Sequence, residues 1–575
     1  GNIRQFQAVL FRACVFEQRE ALTAHSFQKL AALIGDKADR GESRARGLGV
    51  LLYTEDGHVR PLEEIEADII RLAIGHYRGR MTEVARRLGI GRSTLYRKLA
   101  ELGIPPSPLA DDTTFLRRAH LDTIGTLPTV AEVQALLADK NPDKRNRVVA
   151  RLLDRREYAF YWAMKWADVL RVDNAQLKPQ VTVAITRWLR RQMAENVPFD
   201  RFAREIVTVR GNTRSETPAA IYTVLKSPGE LARSISQLFL GVRIECARCH
   251  HHPFEKWAQK DYFALAGFFT GVKRDGRTGG WQKITDGPGS DLKHPRSGQV
   301  VPTAGLGSDP ITLENPLDRR RALSDWMTAP ENRFFARTIV NRLWAHYFGR
   351  GLVEPIDDHR ATNPASNEKL LDALAVEFRR QKYDLKAFTR TLLASRTYQL
   401  SSSTLPDNEL DDQNFSHARK KALPAEVLLD AICQATGVPE RFNGWPIGSR
   451  AIEIWDNRLP SYFFVIFGRP QRNSVCECER GNEPSISQAL HLMNSPESFQ
   501  KIRHRDGRAA ALAAKTLSDE QVIDQLFLAT LSRLATDRER KLLQAAFTES
   551  SGNRREAVED ILWTLLNTKE FLYNH

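Results

Sequence analysis

The sequence Pro105-Pro106-Ser107-Pro108 divides the chain into a head and a body. Proline lacks a backbone N–H and disfavours the helical conformation of the residue before it, so this segment is predicted to be extended. Apolar residues recur at helical spacing on both sides of it. The predicted fold class is therefore mainly α, with a helix-turn-helix head followed by a large two-part helical body with long loops.

The head has the clearest local pattern. Pro61 begins a helical segment whose apolar face is predicted to contain Ile65, Ile69, Leu72 and Ala73. A short helix from Met81, a turn that contains Gly89 and a second helix to Leu99 follow. The side chains predicted to pack inward are Val84, Ala85, Leu88, Ile90, Leu95 and Leu99.

The polar face of the second helix is predicted to lie in the major groove of DNA. Arginines read guanine edges, while hydroxyls and other basic groups bind phosphates. The residues predicted to bind DNA are therefore Arg92, Ser93, Thr94, Tyr96, Arg97 and Lys98. The net charge of +14 is consistent with an anionic partner. The alternative is a basic helical hairpin that is simply solvated.

Residues 61–104 resemble the Fis-type helix-turn-helix that ends NtrC-type, sigma-54-dependent activators. Residues 1–35 resemble the end of the AAA+ domain that precedes it, through Gly1-Asn2-Ile3-Arg4-Gln5, and residues 36–60 are expected to be a linker. The resemblance implies sequence-specific DNA binding by a transcription regulator, as a homodimer. The phosphate-binding loop of that family is missing, so neither nucleotide binding nor ATPase activity is expected. The chain is also expected to be cut from a longer protein.

The densest chemistry of the body is the segment Cys246-Ala247-Arg248-Cys249-His250. The spacing Cys-x-x-Cys-His is typical of haem c attachment, in which Cys246 and Cys249 bond to the haem and His250 is the axial ligand. The same soft ligands suit zinc. The zinc ligands would be chosen from Cys246, Cys249, His250, His252, Cys476 and Cys478. The third interpretation is structural cysteines with polar loop histidines, and no catalytic residue is assigned.

Further expectations concern the second half of the body. Cys476 and Cys478 are not expected to form an easy disulfide with each other. A charged cluster contains Glu477, Glu479, Glu483, Arg469, Arg472 and Arg480. A surface ion-pair network is favoured for it over acid–base catalysis. Metal binding by His346 or by Asp357-Asp358-His359 is disfavoured, because no spacing rule supports it.

The body resembles a pair of cytochrome-associated domains of unknown function that are abundant in planctomycetes. The first domain is placed at 105–272, through Arg117-Arg118-Ala119-His120-Leu121-Asp122 and the run from Phe239 to Trp257. A loop region is placed at 273–315, and the second domain at 316–575, through Phe467-Gly468-Arg469-Pro470. The resemblance implies an exported, mostly helical protein with a haem motif. It assigns no reaction, and the partners of the body are unknown.

The two halves imply different compartments. No apolar run reaches about 18 residues, so no membrane span is predicted, and no export signal is evident. DNA reading implies the cytoplasm, whereas the resemblance of the body implies export. We therefore hypothesise a chimera joined within residues 98–108. The expected function is sequence-specific DNA binding by the head. The alternatives are that the chain is an exported haem-binding redox protein, or that it is a zinc-binding protein or hydrolase.

Overall fold

The computed structural model describes residues 50, 52–53, 56–77, 81–91, 94–95, 98, 105–253, 255–278, 281–313, 315, 317, 319–409, 411–481, 484–550 and 552–575. Most of these residues lie in helices and the strands are short, which confirms the predicted mainly α fold class. The chain forms two compact units. The first contains the described residues before Asp111 with those of 400–419 and 568–570. The second contains the described residues of 111–399, 420–567 and 571–575.

The first unit contains the helices Leu62–His76 and Met81–Leu88. It also contains the proline-rich segment, which is extended as predicted. The backbone N–H of Ser107 donates to the carbonyl of Ser416 (2.8 Å), and the N–H of Ser401 donates to the carbonyl of Pro108 (2.7 Å). Because prolines have no N–H to donate, the segment uses its carbonyls and the one serine amide for pairing.

The second unit is built mainly from helices. Its helices are Asp112–Ile124, Val130–Ala138, Lys144–Asp154, Arg156–Val169, Pro179–Ala194, Phe199–Thr208, Ile221–Val224, Pro228–Ile235, Gln259–Ala266, Arg319–Thr328, Phe335–Phe348, Glu368–Arg380, Leu385–Ala394, Arg396–Gln399, Ala425–Thr436, Tyr462–Ile466, Ile486–Asn494, Pro496–Ile502, Arg508–Ala513, Asp519–Thr530, Asp537–Glu549 and Arg554–Leu566. A further short helix spans Lys569–Leu572. Thr129, Ser227 and Ser518 each begin a helix with a capping box, which satisfies N–H groups that have no partner within the helix.

Shorter elements connect these helices. The 3₁₀ turns are Thr217–Ala220, Glu245–Arg248, Gly267–Phe269, Ala451–Glu453 and Glu477–Glu479, and a π turn spans Ser236–Leu240. A three-stranded antiparallel sheet has the order Gly211–Asn212, Trp281–Asp286, Val272–Thr278. Two short antiparallel pairs join Leu292–Lys293 to Val300–Val301 and Lys421–Ala422 to Tyr573–Asn574. Within the described residues, no helix has the length and apolar character needed to cross a membrane.

Aromatic side chains fill much of the core of the second unit. The helix Arg156–Val169 buries Tyr158, Tyr161, Trp162 and Trp166, because it has apolar residues on nearly every face. Phe199 stacks on Phe335 with ring centroids 5.4 Å apart. Large aromatic rings bury much apolar area at small cost in side-chain freedom, so they stabilise helices that share few polar contacts.

The helix Asp112–Ile124 binds residues that are distant in sequence. Arg117, which is 1% exposed, donates to the carbonyls of Thr530 (2.8 Å) and Phe571 (3.0 Å). Arg118 donates from Nε to the carbonyl of His575 (2.9 Å). The amide of Asn574 donates to Asp122 (2.8 Å). These bonds satisfy buried polar groups and fix residues 571–575 against the first helix of the unit.

Candidate functional site

The helix-turn-helix of the head has a small, closed core. Val84 and Leu95 are 0% exposed, and they pack with Ile70, Ala73 and Ala85. Leu88 and Ile90 lie against this cluster, so the predicted inward positions are confirmed apart from Leu99, which lies outside the described residues. The turn follows Leu88, where Gly89 has a φ of +67°, a conformation that glycine adopts without strain.

The apolar face of the preceding helix differs from the prediction by one position. Ile69 is 40% exposed, whereas Ile70 is 2% exposed and belongs to the core. Ile65 and Ala73 are buried as predicted. The side chains of adjacent helical residues point about 100° apart, and packing against Val84 and Leu95 decides which of the two isoleucines is buried.

Basic side chains in the described part of the head are paired with carboxylates. Glu83 accepts hydrogen bonds from Arg86 and Arg87, and these bonds lower the pKa of Glu83 to about 2. Lys98 forms an ion pair with Glu66 (Nζ to Oε2, 2.7 Å), and Thr94 is half-buried. The other residues predicted to bind DNA, namely Arg92, Ser93, Tyr96 and Arg97, lie outside the described residues.

The Cys-x-x-Cys-His segment lies at the surface of the second unit. Cys246 and Cys249 are free thiols and are exposed, as is His250. The 3₁₀ turn Glu245–Arg248 brings the N–H of Cys249 within 3.4 Å of the carbonyl of Cys246. Ala247 between the thiols is buried, so it anchors the turn.

The ring of His250 is oriented by a backbone carbonyl. Its Nδ1 lies 2.6 Å from the carbonyl oxygen of His251. Since a carbonyl can only accept, Nδ1 donates this bond, and Nε2 is the nitrogen of the ring that would bind a metal. The exposed thiols and this imidazole fit the ligand set of haem c. His252 is half-buried.

The aromatic residues that follow the motif belong to the core. Trp257 is 3% exposed, and Leu265, Phe268 and Phe269 are at most 1% exposed. Phe254 lies outside the described residues. These side chains therefore fill the interior of the unit.

The second cysteine pair corrects one prediction. Cys476 and Cys478 are joined in a disulfide, although their spacing was expected to disfavour it. The 3₁₀ turn Glu477–Glu479 places the two Cα atoms 5.1 Å apart, which is within the range of disulfides. Among the residues that the structure describes, no group of three or more histidine, cysteine, aspartate or glutamate side chains is placed to hold a metal ion.

The charged cluster around this turn is buried, which corrects the prediction of a surface network. Arg480 binds Glu426 and Asp168, both at 2.6 Å, and Arg472 binds Asp168 at 3.0 Å. Glu426 is 0% exposed in its side chain and Arg472 is 2% exposed. Burial raises the pKa of Glu426, but Arg480 and Arg469 outweigh it and lower that pKa to about 2.

Two carboxylates of this network were not predicted from the sequence. Asp168 and Glu426 lie inside helices, 312 and 54 residues from Arg480, and neither belongs to a motif. Glu477 binds Arg342 (2.7 Å), while Glu479 accepts from the N–H of Asn473 (3.0 Å). Glu483 lies outside the described residues. With each carboxylate held by a guanidinium or a backbone N–H, the cluster stabilises the fold.

A cavity of 750 Å³ in the second unit is lined by Trp257, Trp326, Phe334, Arg337, His359 and Glu368, among others. Burial, followed by the charge of Arg337, lowers the pKa of His359 to about 4, so the imidazole is neutral. Its Nε2 is buried without a hydrogen-bond partner. Arg337 and Glu368 form an ion pair with each other.

The other residues considered for metal binding have protein partners. Asp357 accepts from Gln237 (2.7 Å) and from Nε of Arg243 (3.1 Å). Nε2 of His346 lies 2.7 Å from the carbonyl of Asp122. Burial lowers the pKa of His346 well below its usual range. These groups therefore hold elements of the unit together.

Three family models match segments of the chain. The model described as "Bacterial regulatory protein, Fis family" matches residues 61–102. PSCyt2, a protein of unknown function (DUF1549), matches 93–274, and PSD1, a protein of unknown function (DUF1553), matches 319–547. None of these matches extends over residues 1–60, so the relationship to the AAA+ domain stays a prediction.

No curated protein and no solved structure gives a match to the chain. The Fis and PSCyt2 matches overlap over residues 93–102, and this overlap shares residues 98–102 with the predicted seam at 98–108. The finer domain boundaries given above stay predictions. By these matches, the chain joins a Fis-type helix-turn-helix to the PSCyt2 and PSD1 domains of unknown function.

Proposed function

We propose that the head binds DNA sequence-specifically through its helix-turn-helix. The match of residues 61–102 to the Fis family carries this proposal. The described part of the head supports it, because Val84 and Leu95 close a core between two helices and a glycine turn. In helix-turn-helix proteins, a core of this kind leaves the polar face of the second helix available for the major groove.

The ion pair between Lys98 and Glu66 is the described contact that DNA would replace. Lys98 is 25% and Glu66 42% exposed in the side chain. Exposed pairs contribute little to stability, so a phosphate can take the place of Glu66 at small cost. Glu66→Gln therefore increases DNA affinity, since it releases Lys98 and removes a negative charge that repels phosphate.

Fluorescence anisotropy with DNA selected from a random library tests this proposal in the full chain. Binding should weaken steeply with salt. Arg92→Ala and Arg97→Ala should each weaken binding about tenfold or more, since a bidentate base contact contributes about 1–3 kcal/mol. Arg151→Ala removes the same charge from an exposed helical position of the body and should leave affinity unchanged.

A result in which the selected sequence binds no more tightly than random DNA would refute sequence-specific recognition. Equal loss in Arg92→Ala and Arg151→Ala would show that only net charge matters. A homodimer is part of the proposal, because dimeric helix-turn-helix proteins read two half-sites about one DNA turn apart. Two chains per palindromic duplex in light scattering would support it, and one chain per duplex would refute it.

A second candidate function is haem c binding at Cys246 and Cys249, with His250 as axial ligand. The exposure of both thiols and the carbonyl-bound Nδ1 of His250 support it. Haem held in this way would supply one-electron redox chemistry. The role of the chain would be to provide two thioether bonds and an imidazole of fixed orientation.

Expression in an exporting host, followed by visible spectroscopy and metal analysis, separates the candidates for this site. A Soret band that survives acid–acetone extraction and is lost in Cys246→Ala, but kept in Cys433→Ala, supports haem c. Cys433 is a suitable control, because it is also a free thiol and belongs to another helix. Colourless protein with stoichiometric zinc supports the zinc alternative. Protein that contains neither haem nor zinc would support the third interpretation, in which the cysteines are structural.

A further inference from the structure

A small pocket in the second unit is lined by three arginines from three separate segments. It has a volume of 190 Å³ and is lined by Arg171, Arg233 and Arg243, with Glu245 as the acidic side chain among its lining residues. Gln237, Ser234 and Ser474 add polar groups, and Ile244 and Val475 add apolar surface. The pocket is distinct from the head and from the side chains of the cysteine motif.

The three guanidinium groups differ in how they are compensated. Arg243 binds the buried carboxylate of Asp357, and Arg233 lies 3.2 Å from Glu245. Arg171 forms no ion pair with any carboxylate among the described residues; its Nη2 lies 3.5 Å from the side chain of Gln176, and its Nε is buried without a hydrogen-bond partner there. Burial, followed by the like charge of Arg233, lowers the pKa of Arg171.

The backbone of Arg171 is also unusual. It follows the C-cap Leu170 of the helix Arg156–Val169 and has a φ of +56°. This position after a helix C-cap usually holds glycine, because a side chain is strained in the left-handed conformation.

We infer that this pocket binds a doubly charged tetrahedral oxyanion, as free sulfate or phosphate or as the phosphate monoester end of a larger molecule. Guanidinium groups match such oxyanions in geometry and charge. Pockets for drug-sized ligands are about 300–1,000 Å³, so a volume of 190 Å³ suits a single charged group. An anion would give an acidic partner to Arg171, which forms no ion pair with a carboxylate among the described residues. This inference does not rest on DNA or haem binding.

Isothermal titration calorimetry of the full chain with sodium sulfate and sodium phosphate, at constant ionic strength and without DNA, tests the inference. Arg171→Gly should weaken binding about tenfold or more, because a charge-assisted hydrogen bond is lost. The same variant should not lower the melting temperature, since glycine relieves the left-handed backbone. Loss of affinity in a protein at least as stable separates binding from a structural role.

Lys382→Gly is the matched control. Lys382 is an exposed cation that follows the C-cap Gln381 of the helix Glu368–Arg380, and its φ is +54°. The substitution makes the same change of charge and backbone outside the pocket, so it should leave anion affinity unchanged. Equal weakening in both variants, or no saturable binding of either anion at millimolar concentration, would overturn the inference.

Monomethyl phosphate, which can carry the same two charges as inorganic phosphate, identifies the source of the oxyanion. Tighter binding of this ester than of inorganic phosphate would assign the pocket to the phosphate end of a larger molecule. Tighter binding of the inorganic ion would assign it to a free anion. Acetate that binds as tightly as sulfate and phosphate would overturn the tetrahedral, doubly charged specificity.

Discussion

Glu426→Gln is expected to be one of the most destabilising isosteric substitutions in the second unit. The Glu426 side chain is 0% exposed and faces Arg480 (2.6 Å) and Arg469 (3.3 Å), which are 12% and 3% exposed. Removing one partner of a buried pair costs about 3–5 kcal/mol, because the remaining charge is uncompensated. Arg480 keeps Asp168 as a partner, so the lower end, about 3 kcal/mol, is expected.

The depressed pKa of Glu426 arises from the same contacts. The pKa falls from an ordinary 4.5 to about 2 in the folded protein. At 1.36 kcal/mol per pKa unit, this difference corresponds to about 3 kcal/mol. Because the folded pKa is depressed, the contribution is fully present above pH 4.5 and is lost as the pH falls from 4.5 towards 2.

Urea unfolding followed by far-ultraviolet circular dichroism measures this effect at pH 7 and at acidic pH. Glu426→Gln should lower the midpoint at pH 7, and the difference from the unsubstituted protein should shrink below pH 4.5. Glu377→Gln is the control, because Glu377 pairs with Arg380 at the surface, where ion pairs contribute little. If both variants unfold at the same urea concentration, the buried network does not stabilise the fold more than the surface ion pair does.

Three further predictions concern single positions. Leu95→Ala empties a 0% exposed site in the head and should destabilise it by about 2–5 kcal/mol, with faster hydrogen exchange in Leu62–His76. Gly241→Ala should cost about 1–3 kcal/mol in thermal unfolding, because φ is +65° and a β-carbon would overlap the ring of His359. Thr129→Ala removes a capping box and should cost about 1 kcal/mol by the same measure. A melting temperature equal to that of the unsubstituted protein would contradict either of the last two.

Local patterns in the sequence predict local structure well. The periodic placement of Val84, Ala85 and Leu95 predicts the core of the head, because inward positions of a helix-turn-helix depend on spacing along the chain. The burial of Ile70 in place of the predicted Ile69 shows the limit of this reasoning. Neighbouring isoleucines have the same hydrophobicity, and only the orientation of the packed helices distinguishes them.

Contacts between distant segments are harder to predict from one sequence. Asp168 and Glu426 contact Arg480 only after three segments have folded together, so no short motif predicts the buried network. The arginine pocket is hidden for the same reason, since Arg171 and Arg243 come from separate segments. The disulfide of Cys476 and Cys478 depends on a 3₁₀ turn that spacing alone does not predict.

The bonds between the helix Asp112–Ile124 and residues 571–575 have a consequence for biosynthesis. Arg117 and Asp122 reach partners 454 and 452 residues later in the chain. During translation these two side chains lack those partners until the distant segment leaves the ribosome. A nascent chain arrested before Phe571 should therefore stay sensitive to protease in its first body helix, and release of the finished polypeptide should protect it.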